Sequence, residues 1–189
     1  MVRTTFYIVL APTFLLRRFL VAVVFACCPW WSLADGAGSG VEERCNATAG
    51  CDLCVLLNDA TVSVVVLATD VTLSGTCVID NSKVTLRGEA SSGGLWEVSG
   101  SGTGSVFHVQ GDADFTVLDV MVTGGHNPSG NGGGFFVQGT AHVTLAGRTN
   151  VTGNEANDRN GGGFYVGDSA RVTVAGMATV AGNTAYVRG

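Results

Sequence analysis

Basic residues are scarce in this chain. Ten lysines and arginines stand against 15 aspartates and glutamates, and charged residues of both signs make up only 13% of the composition. Three of the ten, Arg3, Arg17 and Arg18, lie in the segment before Asp35, which contains no acid at all. The part from Asp35 onward therefore carries 7 − 15 = −8. That sign excludes nucleic acid and anionic membrane as partners, because both bind through clustered Lys and Arg. Also missing is any amphipathic run of helical length, which excludes a helical bundle. No uninterrupted apolar stretch reaches the ~20 residues that a membrane helix requires, so no stable span is expected in the mature chain.

What the segment 1–34 does contain is the pattern of an export signal. A basic flank ending in Arg17-Arg18 precedes the apolar run Phe19–Cys28, and Ser32-Leu33-Ala34 supplies small residues at −3 and −1. Cleavage is expected after Ala34, the rival reading being an uncleaved anchor. Cys27 and Cys28 leave with such a signal, and Cys45, Cys51, Cys54 and Cys77 remain. An even number of cysteines in an exported chain predicts two disulfides, with three pairings open. Zinc and redox roles for Cys51-Asp-Leu-Cys54 fit less well. No strand–helix context follows it, and no second His or Cys pair lies at zinc spacing. Asn46-Ala-Thr48 and Asn150-Val-Thr152 are glycosylation sequons that a eukaryotic secretory pathway would use. Residues 35–60 read as a flexible linker, Asp35–Gly40, followed by a Cys-rich N-terminal cap.

From Thr61 the chain consists of short β-rich runs between Gly, Ser, Asn and Asp, and it repeats. Asn131–Arg159 and Asn160–Arg188 match at 16 of 29 positions without a gap. A fixed short period means one structural unit stacked on copies of itself. The unit Val-Thr-Leu-x-Gly recurs at Val71, Val84 and Val143, with Val172-Thr-Val-Ala-Gly176 and Phe115-Thr-Val-Leu-Asp119 as variants, and from Val84 the intervals are 31, 28 and 29 residues. Apolar first and third positions around a threonine are the period-2 signature of a strand with one buried face. Phe135-Phe-Val and Val151-Thr-Gly-Asn154 accompany it, with counterparts at Phe164 and Val180. Three short strands per period, turned at glycine corners, predict a right-handed parallel β-helix of about four to five rungs spanning residues 61–189. Phe107, Phe135 and Phe164 should form one inward column, Val109, Val137 and Val166 another, and Asn154 and Asn183 a ladder of stacked amides. In this register Gly189 opens a new glycine corner, so a fragment, a truncated gene or an edge covered by a partner is expected at the C-terminus.

Val151-Thr-Gly-Asn-Glu-Ala156, followed by Gly161-Gly-Gly-Phe164, resembles the F-x-x-N-x-A … G-G-A-[I/L/V] repeat of polymorphic outer membrane proteins. More broadly, residues 61–189 resemble right-handed, pectin-lyase-like β-helix proteins. Val151 and Val180 replace the phenylalanine of that repeat, and Gly163 replaces its alanine. The resemblance implies an exported passenger-like domain acting in cell-surface adhesion, or as a wall or matrix component. Without a barrel, membrane insertion does not carry over. Because one such scaffold hosts adhesins, lyases, hydrolases and epimerases, the alternative is a polysaccharide lyase, hydrolase or epimerase.

An enzyme would need acids, bases or a metal gathered on one outward face. Asp112-Ala-Asp114 with Asp119 is the best acidic group, and under the alternative reading it would hold Ca2+. In register, however, Asp112 and Asp114 are followed by Thr140 and His142, then by Ser169 and Arg171, so no acidic row builds up. His108, His126 and His142 are scattered and adjoin no nucleophile pattern. The expectation is a non-catalytic protein without cofactor. One outward column, His108, Phe136 and Tyr165, is a candidate sugar-stacking face, which makes a polysaccharide or another surface protein the expected partner.

Overall fold

A computed structural model describes residues 40–46, 50–80, 83–91, 93–157 and 159–186. The signal expected over residues 1–34 lies outside these, as do Thr48 of the first sequon and Gly189. Every strand pairing among the described residues is parallel. The result is an all-β solenoid of about four turns, in which each turn lays its strands on those of the turn before.

Four sheets run along the solenoid. The aromatic sheet stacks Cys77–Asp80, Phe107–Gln110, Phe135–Val137 and Phe164–Val166. The long sheet holds Val41–Cys45, Val62–Leu67, Lys83–Gly88, Asp114–Leu118, His142–Ala146 and Arg171–Val174. A third sheet contains Val71–Thr72, Trp96–Ser99, Val120–Thr123, Asn150–Val151 and Thr179–Val180. The later turns add a strand beyond the three expected: His126–Asn127, Glu155–Asn157 and Thr184–Tyr186 form a short fourth sheet. Asn127, Glu155 and Asn157 are poor strand formers by propensity. They are held extended by backbone bonds between turns, such as Glu155 N–H to Gly125 O at 2.8 Å and Thr184 N–H to Asn154 O at 2.9 Å.

The expected columns are in register. Phe135 pairs with Phe107 and Phe164, and Val137 with Val109 and Val166. Phe107 and Phe135 are fully buried. Their ring centroids lie 5.2 Å apart, Phe135 and Phe164 stack at 4.5 Å, and Phe115 meets Phe107 edge-on from the long sheet. Burying each such side chain is worth roughly 1.5–3 kcal/mol. The column also reaches further back than the repeat showed, because Cys77 sits under Phe107 and Ile79 under Val109.

Val71-Thr-Leu is misplaced by the motif alone. Val84, Phe115, Val143 and Val172 share the long sheet, but Val71–Thr72 pairs with Val98–Ser99 on the third. The long-sheet position of that turn belongs to Val62–Leu67, where Val64 pairs with Thr85. This turn is shorter than the later ones, so a frame set by the later repeats does not find it. Val41–Cys45, assigned to the cap by its cysteine, is already the first strand of the long sheet.

Residues 50–60 close the amino-terminal end. Asp52 caps the helix Leu53–Leu57 by accepting from the Cys54 and Val55 amides at 3.0 and 3.2 Å. Leu53 and Leu57 are buried. Asn58 Nδ2 donates to Val78 O at 2.7 Å, and Asn58 Oδ1 accepts from Asp80 N at 3.3 Å. One side chain thus stands in for the strand that Cys77–Asp80 lacks on that edge. Of the three open pairings, the structure has Cys45–Cys51 and Cys54–Cys77, with Cα separations of 5.4 and 5.5 Å. The second ties the capping helix to the aromatic sheet.

At the corners, Gly132 and Gly161 have φ of 72° and 80°, where a side chain is strained. A Cβ on Gly134 would fall 2.6 Å from Gly163 O, so the triplet also permits close approach between turns. Inside the wall, Asn154 is buried. Its Oδ1 accepts from Gly125 N at 2.9 Å, and its Nδ2 donates to Val122 O, Thr152 O and Asn183 Oδ1 at 3.0–3.1 Å. The Asn154–Asn183 ladder is therefore present, and it binds backbone as well as amide. Asn154→Ala leaves the Gly125 N–H and two carbonyls without these partners, and we expect it to lower unfolding free energy by about 3 kcal/mol. Chemical denaturation checks this. Asn150→Ala, on the outside of the same turn, should cost less than about 0.5 kcal/mol.

Candidate functional site

Parallel stacking repeats each outward position at strand spacing, so an outward residue type is multiplied into a row. Three outward rows carry polar or aromatic chemistry. On the aromatic sheet, Val78, His108, Phe136 and Tyr165 share one row. His108 and Phe136 have ring centroids 4.6 Å apart at a tilt of 34°, and Phe136 and Tyr165 are 5.4 Å apart at 40°. These tilted contacts lie within the range that aromatic pairs prefer. The candidate sugar-stacking residues are thus brought together, but their overlapping faces are turned largely towards one another. Ring edges are left to meet a ligand.

Beside this row runs a second, which sequence reading missed. Gln110 Nε2 donates to Asp80 Oδ2 at 3.2 Å, and Gln138 Nε2 donates to Gln110 Oε1 at 3.3 Å. The signal was available, because Gln110 and Gln138 stand one turn of the period apart.

The acidic candidates lie on and beside the long sheet. Asp114 pairs in register with Lys83 on one side and His142 on the other, and His142 with Arg171. His142 Nδ1 lies 3.7 Å from Asp114 Oδ1, and its Nε2 lies 3.0 Å from Thr173 Oγ1. The row therefore mixes charges, as the repeat register predicts. Asp119 sits at a corner with φ of 55°. Its Oδ1 accepts from Arg148 N at 2.9 Å and lies 3.6 Å from Arg148 Nε. Asp112 is also engaged in the structure. Among the described residues, no group of three His, Cys, Asp or Glu side chains is arranged to hold a metal ion.

His126 is not isolated either. Its Nδ1 is 3.5 Å from Glu155 Oε2 and its Nε2 is 3.3 Å from Asn157 Nδ2. The sequon residue Asn150 is half-buried on the third sheet, where its Oδ1 accepts from Thr179 Oγ1 at 3.0 Å. Asn46 is half-buried at the end of the first strand. No helix among the described residues is long and apolar enough to cross a membrane, which says nothing of strands.

No protein-family model matches the chain, and neither a curated protein nor a solved structure matches it. Class membership therefore rests on the fold. The chain is a parallel β-solenoid whose later turns keep one interval, the one that sets Asn154 over Asn183.

His108 gives the outward row a pH dependence. Burial lowers its pKa from the usual 6.5, opposed by the Asp80 carboxylate. A histidine with a lowered folded pKa binds fewer protons when folded, so its neutral form contributes fully above about pH 6.5. Stability should fall as pH drops below that value and level off beneath the folded pKa. Melting curves of wild type and His108→Gln across pH 4 to 8 (~0.5 unit steps) check this. The difference between the two should be flat above about pH 7 and acquire a slope only within the histidine window.

Proposed function

We propose that the chain is an exported, non-catalytic β-helix repeat protein that acts at the cell surface, in adhesion or as a wall or matrix component. What carries the reading is the use made of the outward carboxylates. Asp119 ties one corner to the Arg148 amide of the next turn, and Asp114 stands in a row of mixed charge beside His142. Both hold turn to turn, and neither has a second acid directly above or below it with which to share a sugar or a calcium ion. The finer resemblance, to polymorphic outer membrane protein repeats within the pectin-lyase-like class, rests on the Asn154/Asn183 and glycine-triplet motif. It favours adhesion over catalysis. The apolar N-terminal segment and the two disulfides favour an oxidising, extracellular setting. There Asn46 and Asn150 would carry glycan if the host glycosylates. The partner we favour is a polysaccharide or another surface protein, met along the outward rows.

Incubating the purified protein with pectin, alginate and related polyuronides, with and without calcium, tests this directly. We expect retention on immobilised polysaccharide or on cells, with no new reducing or unsaturated ends. Release of such ends, or inversion of uronate configuration without cleavage, in either case abolished by Asp114→Asn, would make the protein a lyase, hydrolase or epimerase and overturn the proposal.

A further inference from the structure

The aromatic sheet turns two rows to solvent, and they differ in kind. Along one run His108, Phe136 and Tyr165, whose overlapping rings leave a ridge of apolar edges. Two residues further along each strand, about 6.6 Å away, run Asp80, Gln110 and Gln138. Each amide there uses one hydrogen on the residue a turn earlier, Gln138 on Gln110 and Gln110 on Asp80. A primary amide has two hydrogens and two acceptor lone pairs. Gln110 and Gln138, both half-buried, therefore keep a second N–H and further acceptor capacity towards solvent.

Charge beside the amide row has one sign. Asp80 lies in the row itself, and Asp112 and Asp168 stand exposed at the corner that follows it. Asp168 is held there by accepting from the Gly139 amide at 3.0 Å. Among the described residues of this sheet and that corner there is no lysine or arginine. Lys83 and Arg171 belong to the long sheet, where they pair in register with Asp114 and His142. Arg159 lies on the far border of the aromatic sheet, before the glycine triplet Gly161–Gly163. His108 adds no positive charge at neutral pH, because burial lowers its pKa from 6.5. With a screening length of about 8 Å at physiological ionic strength, these carboxylates act on any anion seated on the amides.

We propose that these two rows form a binding strip for neutral polysaccharide, with the sugar chain lying along the solenoid axis. The inference rests on the surface-binding reading above and narrows its partner. Turns repeat at about 4.8 Å, close to the advance of one pyranose in an extended chain. Successive sugars then meet the same ridge and the same amides on successive turns. The ring edges take the C–H side of each sugar. The glutamine amides take its hydroxyls, which donate and accept as the amides themselves do. A polyuronate would instead set a carboxylate on every sugar against Asp80, Asp112 and Asp168, with no guanidinium or ammonium group on the strip to meet it.

Native gels cast with hydroxyethyl cellulose or galactomannan, and separately with polygalacturonate or alginate, read binding as slowed migration. Run in low salt at about pH 7.5, above the histidine range, they should show retardation by at least one neutral polymer and none by the polyuronates. Phe136→Ala with Gln138→Ala should weaken it by roughly tenfold or more, through one lost apolar contact and one lost hydrogen bond. Gln138→Glu, which keeps the side-chain size, should also weaken it while leaving the β-sheet spectrum and melting temperature close to wild type. Thr116→Ala, outward on the long sheet, should leave binding unchanged. Retardation that both Gln138 variants leave intact would overturn the inference. Equal or stronger retardation by a polyuronate would overturn it too, while leaving a surface polysaccharide binder. No retardation by any of these polymers would likewise overturn it. Retention on cells that survives periodate oxidation of their glycans would then make the partner a protein, with the adhesion reading intact, whereas loss of that retention as well would remove both.

Discussion

Every feature of this protein depends on backbone hydrogen bonds that run along the solenoid axis. The Gly133, Gly134 and Phe135 amides donate to the Gly161, Gly162 and Gly163 carbonyls at 2.8–3.1 Å, and Gly167, Ser169 and Arg171 donate back to the turn before. Because each turn must offer its partners at matching heights, the later turns keep nearly the same interval, while the earlier ones differ in length and still pair in register. Residues at equivalent places are then neighbours in space. A slip of one residue in a single turn would move all its inward side chains to solvent. The aromatic column, the amide ladder and the glycine corners hold the register of the later turns from different places on the circumference.

The same constraint shapes what the outside can do. A solenoid multiplies whatever stands at an outward position, so chemistry that needs several like groups is built by repeating one residue type. Here the outward rows mostly change type from turn to turn: Lys83, Asp114, His142, Arg171 on the long sheet, and Asp80, Gln110, Gln138 on the aromatic sheet. Such variation satisfies neighbours within the wall, because opposite charges and complementary amides sit across the strand gaps. The row His108, Phe136, Tyr165 keeps its character, and its rings lie partly over one another. A surface of this kind is suited to broad, shallow contact more than to concentrating charge at one point.

Solenoid ends face the opposite problem, since stacking leaves apolar core and unpaired edges wherever it stops. The amino-terminal end solves it locally, with a short helix, one asparagine acting as a strand, and the Cys54–Cys77 link that ties the helix to the first aromatic-sheet strand. At the far end the valines of the last described turn lie open to solvent.

Residue order alone determined the solenoid, its period and its inward columns, because parallel stacking writes spatial neighbours into the chain as equal intervals. Phe135 over Phe164 and Asn154 over Asn183 were legible for that reason. So, in principle, were Gln110 with Gln138 and His126 with Glu155, once the interval was applied to polar residues too. Where the period changes, legibility stops. Val71-Thr-Leu fits the motif but lies on another sheet, since only the packed structure shows that Val62–Leu67 already fills that place in a shorter turn. Cysteine pairing, the cap formed by Asn58 and the direction in which the outward rings face were likewise decided in three dimensions. Each depends on how distant segments meet at a particular angle, and no repeated interval encodes that.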